Sequence, residues 1–108
     1  MATDPNIKKI FDHYGLRTQL EKTAEEAVEL RDAVCDLLYA MFSYKENDKY
    51  KVREKSIKHH AEEIADVRIM CDQLEYAFSL QDECEQQRKY KIVRQNTRME
   101  LNQHRNDA

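Results

Sequence analysis

Glycine and proline are almost missing, with one of each in 108 residues. Strand-rich folds need tight turns and breakers that this chain does not carry, so long helices are the default and a sheet fold is excluded. Cysteine is also sparse. Cys35, Cys71 and Cys84 are odd in number and show no Cys-x-x-Cys spacing, which reads as reduced, small core residues of a cytoplasmic protein. No apolar leader opens the sequence, and no run of about 18 apolar residues could span a bilayer. The expectation is a cytoplasmic chain without a membrane segment.

What the chain does have is charge and helical patterning. Charged residues make up 36% and apolar residues 41%, and the apolar ones recur at helical steps, which a disordered tail has no need of. The length fits one all-α domain over residues 1–108 with a single modest core. Asp4-Pro5 has the form of an N-cap followed by a first helical residue, and Gly15 ends the short segment PNIKKIFDHYG. From Thr18 to about Tyr44, Leu20, Ala24, Ala27, Val28, Val34, Leu37, Leu38 and Met41 mark the buried face of a first long helix. Residues 45–55, KENDKYKVREK, are polar and aperiodic, which predicts a connection. Ser56 is then the expected cap of a second long helix to about Phe78, with Ile57, Ala61, Ile64, Cys71, Leu74 and Phe78 inward. Ser79 to Asp82 reads as a tight turn, with Asp82 capping a third long helix that frays after Arg98. One short and three long helices make a small up-down bundle.

One phrase occurs twice. Residues 23–30 read TAEEAVEL and residues 60–67 read HAEEIADV. Residues three apart on a helix share a face, so Glu26 projects with Glu29, and Glu63 with Asp66. In antiparallel helices the two pairs can meet, and clustered carboxylates repel unless a divalent cation neutralises them. Hard oxygen ligands without His or Cys favour Mg²⁺, or Mn²⁺ in its place, over Zn²⁺. The charge map is also divided. Residues 62–85 carry eight acids against Arg68 alone, whereas residues 88–105 carry Arg88, Lys89, Lys91, Arg94, Arg98 and Arg105 against Glu100. Lys91, Arg94 and Arg98 lie on one helical face, and a cationic stripe beside a metal-loaded cleft suits a polyphosphate.

Simpler readings compete with this one. A lone Glu-Glu-x-x-Glu is usually a solvated helix face; the matched pair together with the basic third helix is what favours a site. His59 and His60 read as partners of surface carboxylates rather than ligands. Tyr39, Phe42, Tyr76 and Phe78 read as core, though one from a neighbouring subunit could face a base. The basic residues of KYKVREKSIK are diluted by nearby acids and the chain carries a net charge of −3, which disfavours nucleic-acid binding.

The succession Glu25, Glu26, Glu29, then Glu62, Glu63, Asp66, then KIVRQNTR at 91–98, resembles the MazG-like all-α nucleoside triphosphate pyrophosphohydrolases. The lead-in YGLRTQLEKTAEE, with Tyr14, Gly15, Gln19 and Lys22, is similar to the approach to the first acidic motif in small, phage-type members. The resemblance implies a homo-oligomer that cleaves nucleoside triphosphates between the α and β phosphates, yielding monophosphate and pyrophosphate. It implies Glu26, Glu29, Glu63 and Asp66 as Mg²⁺ ligands, and Lys91 and Arg94, with Arg98, Gln19 and Lys22, as substrate-binding groups. Glu25 and Glu62 are implied as supporting groups, one of them orienting the attacking water. The gap of 33 residues between Glu29 and Glu63 is longer than in compact members. Met41, Phe42, Met70, Leu74 and Phe78 form more apolar surface than one small core can cover, so a homodimer or homotetramer is expected. The alternatives are a non-catalytic helical interaction module, which has no use for the matched acidic pairs, and a nucleotide-binding module that holds a nucleotide or phosphorylated ligand without turnover.

Overall fold

In the computed structural model, which describes residues 3–42 and 46–107, the chain is all-α. The first helix, α1 (Pro5–Tyr14), starts as its sequence requires: the Asn6 amide donates to Asp4 Oδ1 at 2.8 Å and Pro5 needs no hydrogen bond in the first turn. Gly15 stops it at φ +88°. There follow α2 (Leu16–Phe42), α3 (Glu46–Phe78) and α4 (Gln81–Asp107), giving the expected one short and three long helices. Among the described residues no helix is long and apolar enough to cross a membrane.

Three boundaries differ from expectation, one of them at the end of α4, which runs on to Asp107 instead of fraying after Arg98 because LNQHRND holds no Gly or Pro to stop it. Residues 46–55 are not a connection but the opening turns of α3; residue 45 lies outside the described residues. The stretch contains Glu, Lys and Arg without Gly or Pro, and lengthening an existing helix is cheap even when no apolar face rewards it. Ser56 is accordingly a half-buried residue within α3 rather than a cap. At the other end, Asp82 is not the N-cap of α4. The Cys84 amide donates to the Leu80 carbonyl at 2.8 Å, so the helix begins at Gln81, and Asp82 and Glu83 complement the dipole from the first turn.

The α3–α4 corner is two residues long. Leu80 N–H reaches back to the Glu75 carbonyl at 2.8 Å and Ser79 N–H to the Tyr76 carbonyl at 3.3 Å. This is a Schellman ending, with Ser79 in the left-handed position at φ +53° where glycine is usual.

Antiparallel packing of α2 on α3 forms most of the interior, with α1 laid across their far end. On α2 the inward residues are Gln19, Thr23, Glu26, Leu30, Ala33, Leu37 and Ala40, alternating steps of four and three. On α3 Ser56, His60, Glu63, Val67, Met70 and Leu74 keep the same rhythm, and Gln73 beside Leu74 is also buried. This is a coiled-coil seam, and fully buried Ala33 and Ala40 let the two backbones approach closely. From α1, Ile7 is buried and Phe11 meets the Tyr76 ring edge-on at 5.6 Å, while Tyr76 Oη donates to Asp12 at 3.2 Å.

The seam does not follow the bulkiest apolar stripe. Leu20, Val28, Val34, Leu38 and Tyr39 are exposed, as are Ile57 and Phe78, and Phe42 is 77% exposed. Cys35 and Cys71 are exposed and Cys84 is half-buried, so the thiols are not core residues. A helix with two apolar faces can offer only one of them to a single neighbour, and α2 offers the one with the small residues. On α4 only Gln81 and Cys84 are partly covered; every residue from Glu85 to Asn106 is exposed, and the helix approaches α3 alone among the described helices. The radius of gyration is 18.6 Å, against about 13 Å for a compact chain of this length. The accessible surface is 9124 Å², against about 6,300 Å² for a folded monomer of this mass.

Candidate metal centre

Both acidic phrases turn into the seam. Glu26 is 6% exposed and Glu63 8% exposed, since each occupies an inward position of the three-four rhythm. Glu29 sits one turn further along α2, at the open edge. One carboxylate oxygen from each of Glu26, Glu29 and Glu63 lies within 4.8 Å of the other two.

The electrostatics are unbalanced. Lys22 Nζ is 3.0 Å from Glu26 Oε1 and 3.9 Å from Glu25, and the Glu26 carboxylate, by hydrogen bond and charge, holds the lysine above its ordinary pKa. His59 Nε2 is 3.7 Å from Glu63 Oε1, and its Nδ1 is 3.8 Å from Glu62. Beyond these, Glu26 Oε2 and Glu63 Oε2 are buried with no hydrogen-bond partner. Such atoms are costly to leave unmatched. The Glu29 carboxyl is pushed above the ordinary range, first by hydrogen bonding with Glu26, then by the Glu26 charge, by desolvation and by Glu63, with Lys22 opposing. Three hard oxygen donors, two of their carboxylates with an orphaned buried oxygen, suit a divalent cation such as Mg²⁺ or Mn²⁺.

Beside the cluster lies a cavity of about 360 Å³, lined by Ile10, Tyr14, Thr18, Gln19, Lys22, Glu26, Asp66, Ile69, Met70 and Gln73. At this cavity the lead-in residues Tyr14, Gln19 and Lys22 come together with Glu26. Asp66 joins the cavity wall instead of the three-carboxylate group, and it is exposed. Glu25 and Glu62 are exposed at the rim, beside Lys22 and His59 respectively. Lys91, Arg94 and Arg98 lie on the uncovered length of α4, which does not approach α2; Arg94 rests over the Tyr90 ring at 5.6 Å. One chain therefore gathers the acidic half of the expected constellation without the basic helix.

Sequence reading missed Gln73, which is 1% exposed and hydrogen-bonded to Gln19 at 2.7 Å; it expected His60 to partner a surface carboxylate, whereas His60 turns into the seam with its Nδ1 buried and without a hydrogen-bond partner. The signal for Gln73 is the seven-residue series Gln19, Glu26, Ala33, Ala40 on α2. It names the seam without any reference to hydrophobicity, and Gln73 is what faces its first member. Comparison of the chain with known protein families, with curated proteins and with solved structures finds no match.

Proposed function

We propose that this chain is a single-domain, Mg²⁺-dependent nucleoside triphosphate pyrophosphohydrolase of the MazG-like kind, cleaving between the α and β phosphates. The observation that carries the reading is the group formed by buried Glu26 and Glu63 with Glu29 at its exposed edge, with two orphaned carboxylate oxygens, beside a cavity that also holds Lys22. Glu26, Glu29 and Glu63 would hold the cation, and Asp66 would add a fourth carboxylate from the wall of the adjoining cavity. When bound, the ion supplies positive charge to the phosphates and acidifies a water. Lys22 neutralises Glu26 and faces the same phosphates, and Glu25 or Glu62 at the rim orients the attacking water.

Phosphoryl chemistry of this type needs more positive charge than Lys22 alone provides. Lys91, Arg94 and Arg98 supply it from the α4 of a second copy. The exposed area in excess of a compact monomer is about 2,800 Å², well above the roughly 800 Å² per partner of a standard interface. A homodimer, or a homotetramer built from two, covers α4 and completes the site in one step.

The test is a set of thermal melts with and without Mn²⁺ or Mg²⁺, alongside pyrophosphate release from a nucleotide panel. The parent should gain melting temperature with the ion by linkage and should release pyrophosphate. Glu63→Gln should be as stable as the parent without metal, lose most of the ion-induced gain, and lose about a hundredfold or more in activity. Equal ion responses in parent and variant would retire the metal centre. Stabilisation without pyrophosphate release from any nucleotide would leave a nucleotide-binding module in its place.

A further inference from the structure

The cavity beside the carboxylates has two unlike ends. Lys22, Glu26 and Asp66 line one, and Ile10, Tyr14, Ile69 and Met70 provide apolar walls toward the other. A ligand that satisfies both is a flat heterocycle joined to a polyanion. Between the walls lie two buried carboxamides, Gln19 at 4% exposure and Gln73 at 1%. Buried amides are normally matched on every side, and the matching here is directional.

Gln73 is oriented by the acceptors at one end of its amide. One end of its amide is 3.4 Å from the Ile69 carbonyl. A carbonyl can only accept, so that end is the NH₂ group, and Gln73 Oε1 must face the other way. There it accepts from Gln19 Nε2 at 2.7 Å. The Met70 sulfur, 3.5 Å from Gln73 Nε2, takes a second weak hydrogen bond and reinforces the same sense. Gln19 is therefore held with its NH₂ toward Gln73, and its own carbonyl oxygen accepts no hydrogen bond from any described group while the residue lines the cavity.

We infer that Gln19 is the specificity-determining residue of this cavity: its carbonyl oxygen selects a nucleobase that presents an N–H donor, an exocyclic amine or a ring imide. Gln73 is a positioning residue that prevents the Gln19 amide from flipping. The inference rests on the pyrophosphohydrolase reading for the phosphate end of the ligand. It adds the base end, and with it a rule of selection. A base offering only acceptors at that edge would set the Gln19 carbonyl against another lone pair, and sites built to take a hydrogen bond reject analogues that cannot make it far more strongly than apolar pockets reject an extra methylene.

The experiment measures binding by calorimetry, with Mn²⁺ present and non-hydrolysable α,β-imido triphosphates, in matched pairs: adenosine against purine riboside, cytidine against 2-pyrimidinone riboside, uridine against N3-methyluridine. For whichever base binds most tightly, the donor-lacking member should bind about a hundredfold more weakly to the parent protein. Gln19→Met, of similar shape but without the carbonyl, should shrink that ratio to within a few-fold and keep its Mn²⁺-induced melting shift. Gln73→Met, which leaves Gln19 free to flip, should shrink it partway. Equal binding of the pair by the parent overturns the inference without requiring any variant, and leaves the metal centre standing if Mn²⁺ still stabilises the protein. Loss of both nucleotide binding and the Mn²⁺ shift in the parent overturns the pyrophosphohydrolase reading and this inference with it.

Discussion

The α2–α3 seam and the α4 helix solve opposite problems with the same kind of residues. In the seam, Gln19, Glu26, Glu63 and Gln73 are buried while apolar side chains elsewhere on the same two helices, Leu20, Val28, Ile57 and Ile69 among them, stand in solvent. On α4, Tyr90, Ile92, Val93, Met99 and Leu101 are all exposed, and none of the described helices covers them. A protein organised for its own stability would reverse both assignments, since burying apolar area is favourable and burying carboxylates is not. The difference separates two tasks. The seam holds a cluster of charge in one place at a cost in stability, and α4 carries apolar surface suited to recovering stability from another copy.

The largest effect should come from cutting the link between the two regions. Lys91→Ala or Arg94→Ala should lower kcat/KM by ten- to a thousandfold, about 1.4–4 kcal/mol of transition-state stabilisation, with the Mn²⁺-induced melting shift intact. Mixing Arg94→Ala chains with Glu63→Gln chains should restore about a quarter of parental activity if each site takes its acids from one chain and its bases from another in a dimer. Restoration absent after subunit exchange would place all the groups in one chain.

Next in size is the assembly itself. Val93→Glu puts a charge on the exposed face of α4. It should shift the sedimentation profile toward monomer and remove the dependence of melting temperature on protein concentration, with a loss of about 1.5–3 kcal/mol for the uncovered side chain. An unchanged oligomer would mean that another face of α4 is the one covered.

A smaller effect isolates the seam. The Glu29 carboxyl is held above its ordinary range by Glu26 and then by burial and Glu63. A carboxyl whose folded pKa is raised contributes stability that is fully present below its unfolded pKa and is lost as pH rises through the folded value. In EDTA, melting temperature should therefore fall as pH climbs from the ordinary carboxylate range through the raised one. Mn²⁺ should flatten the slope, and Glu29→Gln should remove this contribution even without metal. A flat parental profile in EDTA would show that the carboxylates do not strain one another.

The smallest change tests the corner between the regions. Ser79 occupies a left-handed conformation at φ +53° that costs a side-chain-bearing residue about 1–2 kcal/mol. Ser79→Gly should raise the unfolding free energy by about 0.5–1 kcal/mol, read as a higher denaturant midpoint at unchanged slope.

Helix number, the Asp4-Pro5 start, the Gly15 stop and the meeting of Glu26 and Glu29 with Glu63 were legible because each depends on local chemistry or on the fixed period of the helix. The stripe Leu20, Val28, Val34 and Leu38 misled, because hydrophobicity marks every face that will be covered and does not say whether the cover comes from the same chain. Ala33 and Ala40 decide which face meets α3 by permitting close approach, and size is a weaker signal than polarity in a pattern search. Residues 46–55 misled for a different reason: a helix propagates through polar sequence unless something stops it. The place of Asp66 in the cavity wall and the orientation locked into Gln19 depend on contacts across helices, which spacing along one helix does not encode.

Gly15 joins α1 to α2 with no other residue between them. Its amide donates to the Phe11 carbonyl at 2.8 Å to finish one helix, and its carbonyl accepts from Gln19 at 3.1 Å to begin the next. A Cβ built on it would meet nothing within 4 Å, so space is not what demands glycine; the backbone torsions, φ +88° and ψ 166°, are what an L side chain resists. Ile10 and Tyr14, which wall the cavity from α1, thus join α2 through a single achiral residue, while Phe11 and Asp12 on the same helix are pinned to Tyr76 of α3. Handedness at that one atom is therefore held between two anchors: a D-residue would sit there at ease, while an L-residue would set its torsional strain against the contacts that dock α1 on α3.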